Sequence, residues 1–109
     1  MTTRSARLFA GTTTGKPSGV IYTAPSTAVV ILKTIHGAMG ATPNTLTLYT
    51  QDPSAAFAYF YTKKWVTGDP QLFLWSGWIV LEPGDQVVVS YDTGPVYYWG
   101  SGALLPVPT

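Results

Sequence analysis

The sequence predicts an all-β fold, a two-sheet antiparallel β-sandwich of jelly-roll-like form. Three observations carry that prediction. Gly and Pro, 11 and 9 of them, punctuate the whole length, and no stretch of helix length shows helical periodicity. The segments between these breaks are rich in Val, Ile, Thr, Tyr, Phe and Trp, residues that suit a pleated, half-buried surface. Eight such segments recur at short spacing, as the strands of a sandwich do. At 109 residues the chain fits a single domain spanning 1–109, able to bury about two-thirds of the surface that its unfolded form exposes.

In chain order, strands are expected at 4–12, 20–23, 28–38, 45–49, 56–62, 71–81, 86–91 and 96–103. Between the first two, residues 11–19 read as a loop by composition. The third contains Val29-Val30-Ile31-Leu32, apolar on both faces, as is Trp78-Ile79-Val80-Leu81 in the sixth. A strand covered on both sides reads this way, whether a subunit interface or a loop of the same chain covers the second side. Ala41-Thr42-Pro43-Asn44 breaks the chain before Thr45-Leu46-Thr47-Leu48-Tyr49, whose strict alternation puts both leucines on one face. Thr67-Gly68-Asp69-Pro70 and Asp92-Thr93-Gly94-Pro95 are similar polar breaks. In Glu82-Pro83-Gly84-Asp85, Pro83 presets φ at the second turn position and Gly84 accepts the positive φ of a type II turn. The runs on either side are expected to pair across it. Residues 104–109 contain two prolines, which cannot donate ladder hydrogen bonds, so they are expected outside a central strand. Together with 1–3 they read as extended arms, either docking a neighbour or frayed.

Charge and inventory exclude several functions. Charged residues make up 10% of the chain, against about 25% in ordinary soluble domains. Such a surface is weakly defended against association. The net charge is +1, and Arg4, Arg7, Lys16, Lys33, Lys63 and Lys64 are scattered, so no nucleic-acid footprint is expected. Without cysteine there are no disulfides or thiolate metal sites, which fits a reducing cytoplasm. Residues 1–10 lack the apolar core of a signal peptide, and no apolar run approaches the ~18 residues of a membrane span. His36 is the single histidine, so no two-histidine metal cluster forms within one chain, and no cofactor is expected. It lies in the body of an apolar strand, and no Gly-x-Ser-x-Gly elbow accompanies it, so a structural side chain is the better reading than a triad base. Asp52, Asp69, Glu82, Asp85 and Asp92 stand in turn-like contexts, where Asp favours local backbone hydrogen bonds over catalysis. The chain reads as non-enzymatic.

Aromatics form the one strong constellation: Phe57, Tyr59, Phe60, Tyr61, Trp65, Phe73, Trp75, Trp78, Tyr91, Tyr97, Tyr98 and Trp99. Alternation prevents all of them from facing one core. Phe57, Tyr59 and Tyr61 are expected to share a face opposite Phe60, and adjacent rings in Tyr97-Tyr98-Trp99 must diverge. The interface candidates are Tyr59, Tyr61, Trp65, Trp75, Tyr98 and Trp99, with Leu104 and Leu105 in the apolar tail. Trp65 is the leading one, placed at a strand end after Lys63-Lys64 and beside a loop. Three roles are open to such rings: packing across an outer sheet face, anchoring a protein interface, or stacking on sugar. Protein contact is favoured, because charged and amide groups that would bind sugar hydroxyls are scarce nearby.

Two blocks resemble a known family. Tyr22-Thr23-Ala24-Pro25-Ser26-Thr27-Ala28-Val29-Val30-Ile31-Leu32-Lys33-Thr34-Ile35-His36 is similar to the opening of small bacteriophage virion proteins, where a Tyr-Thr-x-Pro turn leads into an apolar strand. Trp78-Ile79-Val80-Leu81-Glu82-Pro83-Gly84-Asp85-Gln86-Val87 resembles their later Pro-Gly-Asp signature. The likeness spans residues 19–102. It lapses after His36, where Gly37-Ala38-Met39-Gly40 replaces an Asn-Thr-Ser-like turn. The resemblance implies a β-sandwich subunit of a phage tail, tail tip or capsid surface, assembled in the host cytoplasm and located in the virion. Its implied partners are further copies of itself and other virion proteins, without membrane insertion. The alternative is a carbohydrate- or receptor-binding module of a phage tip, which would meet a host-surface glycan. No catalytic residue carries over from the family pattern.

Overall fold

In the computed structural model, residues 6–13 and 18–107 are described. They form eight strands: β1 (Ala6–Thr13), β2 (Ser18–Thr23), β3 (Ala28–Met39), β4 (Asn44–Gln51), β5 (Phe57–Trp65), β6 (Leu72–Leu81), β7 (Gln86–Tyr91) and β8 (Val96–Pro106). Two four-stranded antiparallel sheets result, ordered β1-β8-β3-β6 and β2-β7-β4-β5. Of the connections between consecutive strands, β4 to β5 alone stays within one sheet. Every other connection crosses the sandwich, which is the jelly-roll arrangement. The core lies between the sheets, where Val30, Leu32 and Ile35 of β3 face Leu46 and Leu48 of β4 and Val87 and Val89 of β7, all buried.

The expected pairing of residues 78–81 with 87–91 is overturned, because β6 and β7 belong to opposite sheets. The turn itself is as read: Gly84 has φ +89, Asp85 N donates to Glu82 O at 3.0 Å, and Glu82 N donates to the Asp85 carboxylate at 2.9 Å. A type II twist does not match that of a two-residue hairpin and splays the flanking strands. Here the splayed strands enter different layers. A second connection holds the turn: Ala24 N donates to Asp85 O at 2.8 Å and Gly84 N to Ala24 O at 3.0 Å. The Tyr-Thr-x-Pro and Pro-Gly-Asp blocks, about 60 residues apart in the chain, are therefore hydrogen-bonded neighbours.

Residues 104–106 are not an arm. Leu104, Leu105 and Pro106 pair with Val30, Val29 and Ala28 as the end of β8. The described pairing with β1 reaches Gly102, and that with β3 continues to Pro106. Residues 1–3, 108 and 109 lie outside the described residues, as do Arg4 and Ser5 of the expected first strand. Of the expected loop at 11–19, residues 11–13 belong to β1 and 18–19 to β2, and 14–17 lie outside the described residues.

Asn44 ties two crossings together at the far end. Its side chain is buried; Nδ2 donates to Thr93 O at 2.6 Å and Ala41 O at 3.3 Å, and Oδ1 accepts from Thr45 N and Asp92 N, both at 3.0 Å. Full use of the amide is what makes a buried asparagine tolerable.

Candidate functional site

Each sheet turns one face to the core and one outward, and the two outward faces differ in chemistry. On the β1-β8-β3-β6 sheet the pairing register builds transverse rows. His36 lies between Leu74 and Trp99, and Ala38 between Leu72 and Tyr97. His36 stacks on Trp99 with centroids 5.4 Å apart and planes at 14°. One row on, Thr34 and Ser101 hydrogen-bond through their hydroxyls. Alternation along β6 carries Trp78 outward like Leu72 and Leu74, and at the register shift opposite it the Lys33 ammonium lies 5.4 Å from the centre of that ring. Leu72, Leu74 and Trp78 are each 63–65% exposed, and Val80, Tyr97 and Trp99 are exposed beside them. Together these six side chains present on the order of 600 Å² of apolar surface, the upper limit for the largest patch of a typical monomer. The covering expected over Trp78-Ile79-Val80-Leu81 is absent within the described chain: Leu81 enters the core, while Trp78 and Val80 stay open.

The expected interface residues divide between exposed positions on both sheets and the core. Trp99, Tyr59, Leu104 and Leu105 are exposed. Trp65 and Trp75, expected to be at least partly exposed, are core residues. Trp65 is 1% exposed and meets Phe73 of the opposite sheet edge-on at 6.2 Å. Trp75 meets Phe60 at 4.9 Å in the same manner. Neither ring is free to plug a neighbour's pocket. Tyr61 and Tyr98 are half-buried against the core, and burial raises both phenols above their ordinary pKa. For Trp65 and Tyr61 the reason lies in β5, where Tyr49 pairs with Tyr59 and Leu48 with Tyr61, leaving Phe60 as an extra residue. This bulge reverses the alternation. Phe60 and Tyr61 both pack inward, Tyr59 stays outward, and Trp65 falls on the core side.

Sequence reasoning missed Leu72, Leu74, Trp78, Val80 and Tyr97 as surface residues. The available signal was the alternation of Leu72 and Leu74 with Phe73 and Trp75, which marks two faces without saying which is inner.

The outward face of β2-β7-β4-β5 carries a row of hydroxyls, one from each strand. Ser18 pairs with Ser90, Ser90 with Thr47, and Thr47 with Thr62. The next row is Val20, Val88, Tyr49 and Tyr59, and the one after it Thr23, Gln86, Gln51 and Phe57. The rings of Tyr49, Phe57 and Tyr59 stand edge-to-face at 5.4–5.7 Å. Ser18, Thr47, Tyr49, Tyr59, Thr62 and Ser90 line a cleft of about 520 Å³.

The carboxylates of Asp52, Asp69 and Asp85 serve their own turns. Asp52 Oδ1 accepts from Ser54 N at 2.8 Å, Ser54 Oγ at 2.7 Å and Ala56 N at 3.0 Å. The Ser54 hydroxyl foremost, with backbone N–H groups after it, holds that carboxyl below its ordinary range. Asp69 Oδ2 accepts from Val66 N at 2.7 Å. Among the described residues no three His, Asp or Glu side chains converge, and no helix is long and apolar enough to cross a membrane.

No family model matches this chain, and no curated protein matches it in sequence. Among solved structures it is similar to the Eiger TNF of S. frugiperda, with TM-score 0.48 and 10% identity over 84% of this chain and 68% of that one. It is also similar to a chain of infectious bursal disease virus, Gt strain, with TM-score 0.46 and 10% identity over 94% of this chain. The likeness covers 31% of that viral chain. These are likenesses of overall outline; the strand order itself defines the jelly roll.

Proposed function

We propose that this chain is a non-enzymatic structural subunit of a bacteriophage particle, in the tail, at its tip or on the capsid surface. It assembles through the outward face of the β1-β8-β3-β6 sheet, packed against a second copy of the chain. The observation that carries this reading is the set of six exposed apolar side chains on one sheet face, with Leu72, Leu74, Tyr97 and Trp99 on one side of the Thr34–Ser76–Ser101 row and Trp78 and Val80 on the other. An area on the order of 600 Å² approaches the roughly 800 Å² per partner of a stable interface, before Leu105, His36 and the Lys33 stem are counted. Trp78, Tyr97 and Trp99 on this face are of the residue types that anchor interfaces. A 10% charged chain supports the same reading, since few charges oppose association. So does the family resemblance, whose two blocks meet in space at Ala24 and Gly84-Asp85.

The test is the mass in solution by light scattering, beside mass spectrometry of purified particles. Wild type is expected at a multiple of the chain mass. Trp78→Glu and Leu74→Glu are expected at the monomer mass with unchanged melting temperatures, because both side chains are exposed in the monomer. A wild type that stays monomeric at every concentration overturns the assembly face. Absence of the chain from purified particles overturns the virion role.

A further inference from the structure

We infer that the outward face of the β2-β7-β4-β5 sheet is a binding site for a neutral saccharide. The inference rests on a different face from the assembly surface and stands apart from it.

Strand register alone places Ser18, Ser90, Thr47 and Thr62 in one line across the sheet. Neighbouring strands lie about 4.8 Å apart, so the line offers a hydroxyl at close to the spacing of successive sugar rings. Each hydroxyl both donates and accepts, as each sugar hydroxyl does. Short Ser and Thr side chains also lose little rotamer freedom when a ligand fixes them. Within the line, Thr62 Oγ1 donates to Thr47 Oγ1 at a long 3.5 Å, which leaves hydrogen-bonding capacity for a ligand.

The adjoining row completes the chemistry. Tyr59, 63% exposed, stands at the end of the hydroxyl line with Tyr49 and Phe57 packed edge-to-face behind it. An aromatic face carries negative potential and attracts the polarised C–H face of a sugar ring. The amides of Gln51 and Gln86, paired two residues further along the strands, add donors and acceptors within reach of a longer saccharide. The cleft of about 520 Å³ is within the roughly 300–1,000 Å³ of ligand sites. None of its lining residues is charged, which selects against phosphate, sulfate and sialic acid and in favour of an uncharged ligand. The charged residue that the register places on this face, Lys64 opposite Thr45, lies outside the cleft lining.

The test is saturation-transfer NMR on the wild-type chain with trisaccharides of glucose, galactose, mannose and N-acetylglucosamine, and with sialyllactose as the acidic comparison. Saturation transfer to at least one neutral trisaccharide is expected, with sialyllactose no better. Tyr59→Ala is expected to weaken binding tenfold or more, and Thr62→Val, which keeps the shape and strand preference, several-fold. Trp78→Glu on the opposite face is expected to leave binding unchanged while abolishing assembly, so the two readings fail separately. If Tyr59→Ala melts early, Thr62→Val and Thr47→Val decide. No transfer to any neutral trisaccharide, binding that survives these substitutions, or preference for sialyllactose overturns the assignment.

Discussion

Trp65 shows how little a residue's neighbours in the chain say about its place. Lys64 and Val66 on either side are exposed, yet the indole is 1% exposed and packed edge-on against Phe73. The Lys63 ammonium, 5.4 Å from the ring centre, also donates to Leu72 O at 3.2 Å, so that it bridges the edges of both sheets. An inward-pointing charge at a sheet edge discourages strand addition there. Trp65→Ala is therefore expected to destabilise the fold by about 3–5 kcal/mol, the cost of emptying a large aromatic site. Urea unfolding monitored by circular dichroism measures it. A loss below about 1 kcal/mol would contradict the core placement.

At the scale of elements, the turns decide which layer each strand joins. Val66-Thr67-Gly68-Asp69 repeats the design of the Glu82–Asp85 turn. Gly68 has φ +92, Asp69 N donates to Val66 O at 3.1 Å, and the Asp69 carboxylate receives the N–H of Val66. Both turns carry a strand out of one sheet and into the other. They differ in surroundings: a Cβ on Gly68 meets open space, whereas one on Gly84 comes within 3.3 Å of Pro53 Cγ. Gly84 is also bonded to Ala24. Gly68→Val is expected to cost about 1–2 kcal/mol for its left-handed backbone alone. Gly84→Val is expected to cost more, since its Cβ also crowds Pro53 Cγ. Equal denaturation midpoints for the two variants would show that this crowding costs nothing.

For the whole molecule, the stacking of two sheets leaves two broad outer faces, one apolar and one hydroxylated. Arg7, Lys33, His36 and the phenol of Tyr97 are the charged or titratable groups that the register places on the apolar face, and among the described residues no carboxylate stands in its rows. Association through it is consequently hydrophobic and only weakly electrostatic. Raising NaCl from about 0.1 to 1 M, which shortens the screening length from about 10 to 3 Å, is expected to leave the dissociation constant unchanged or to tighten it. Sedimentation equilibrium at both salt concentrations checks this. A tenfold weakening at high salt would point to charge pairs in the interface.

The strand identities of this protein are local information. Period-two patterns and Gly, Pro and Asp breaks mark all eight strands, the Gly84 turn and the turn-bound carboxylates, because φ preferences and short-range hydrogen bonds act over a few residues. Pairing and facing are not local. Whether residues 78–81 join 87–91 in one sheet depends on which layer receives each strand, and that is settled by packing across the sandwich. The single extra residue at Phe60 reverses the inner and outer faces around it, moving Trp65 inward. The same alternation in Leu72-Phe73-Leu74-Trp75 is apolar on both faces, so hydrophobicity cannot choose between them. The hydroxyl row is invisible in the chain, where Ser18, Thr47, Thr62 and Ser90 are far apart, since side chains on different strands become neighbours only through register.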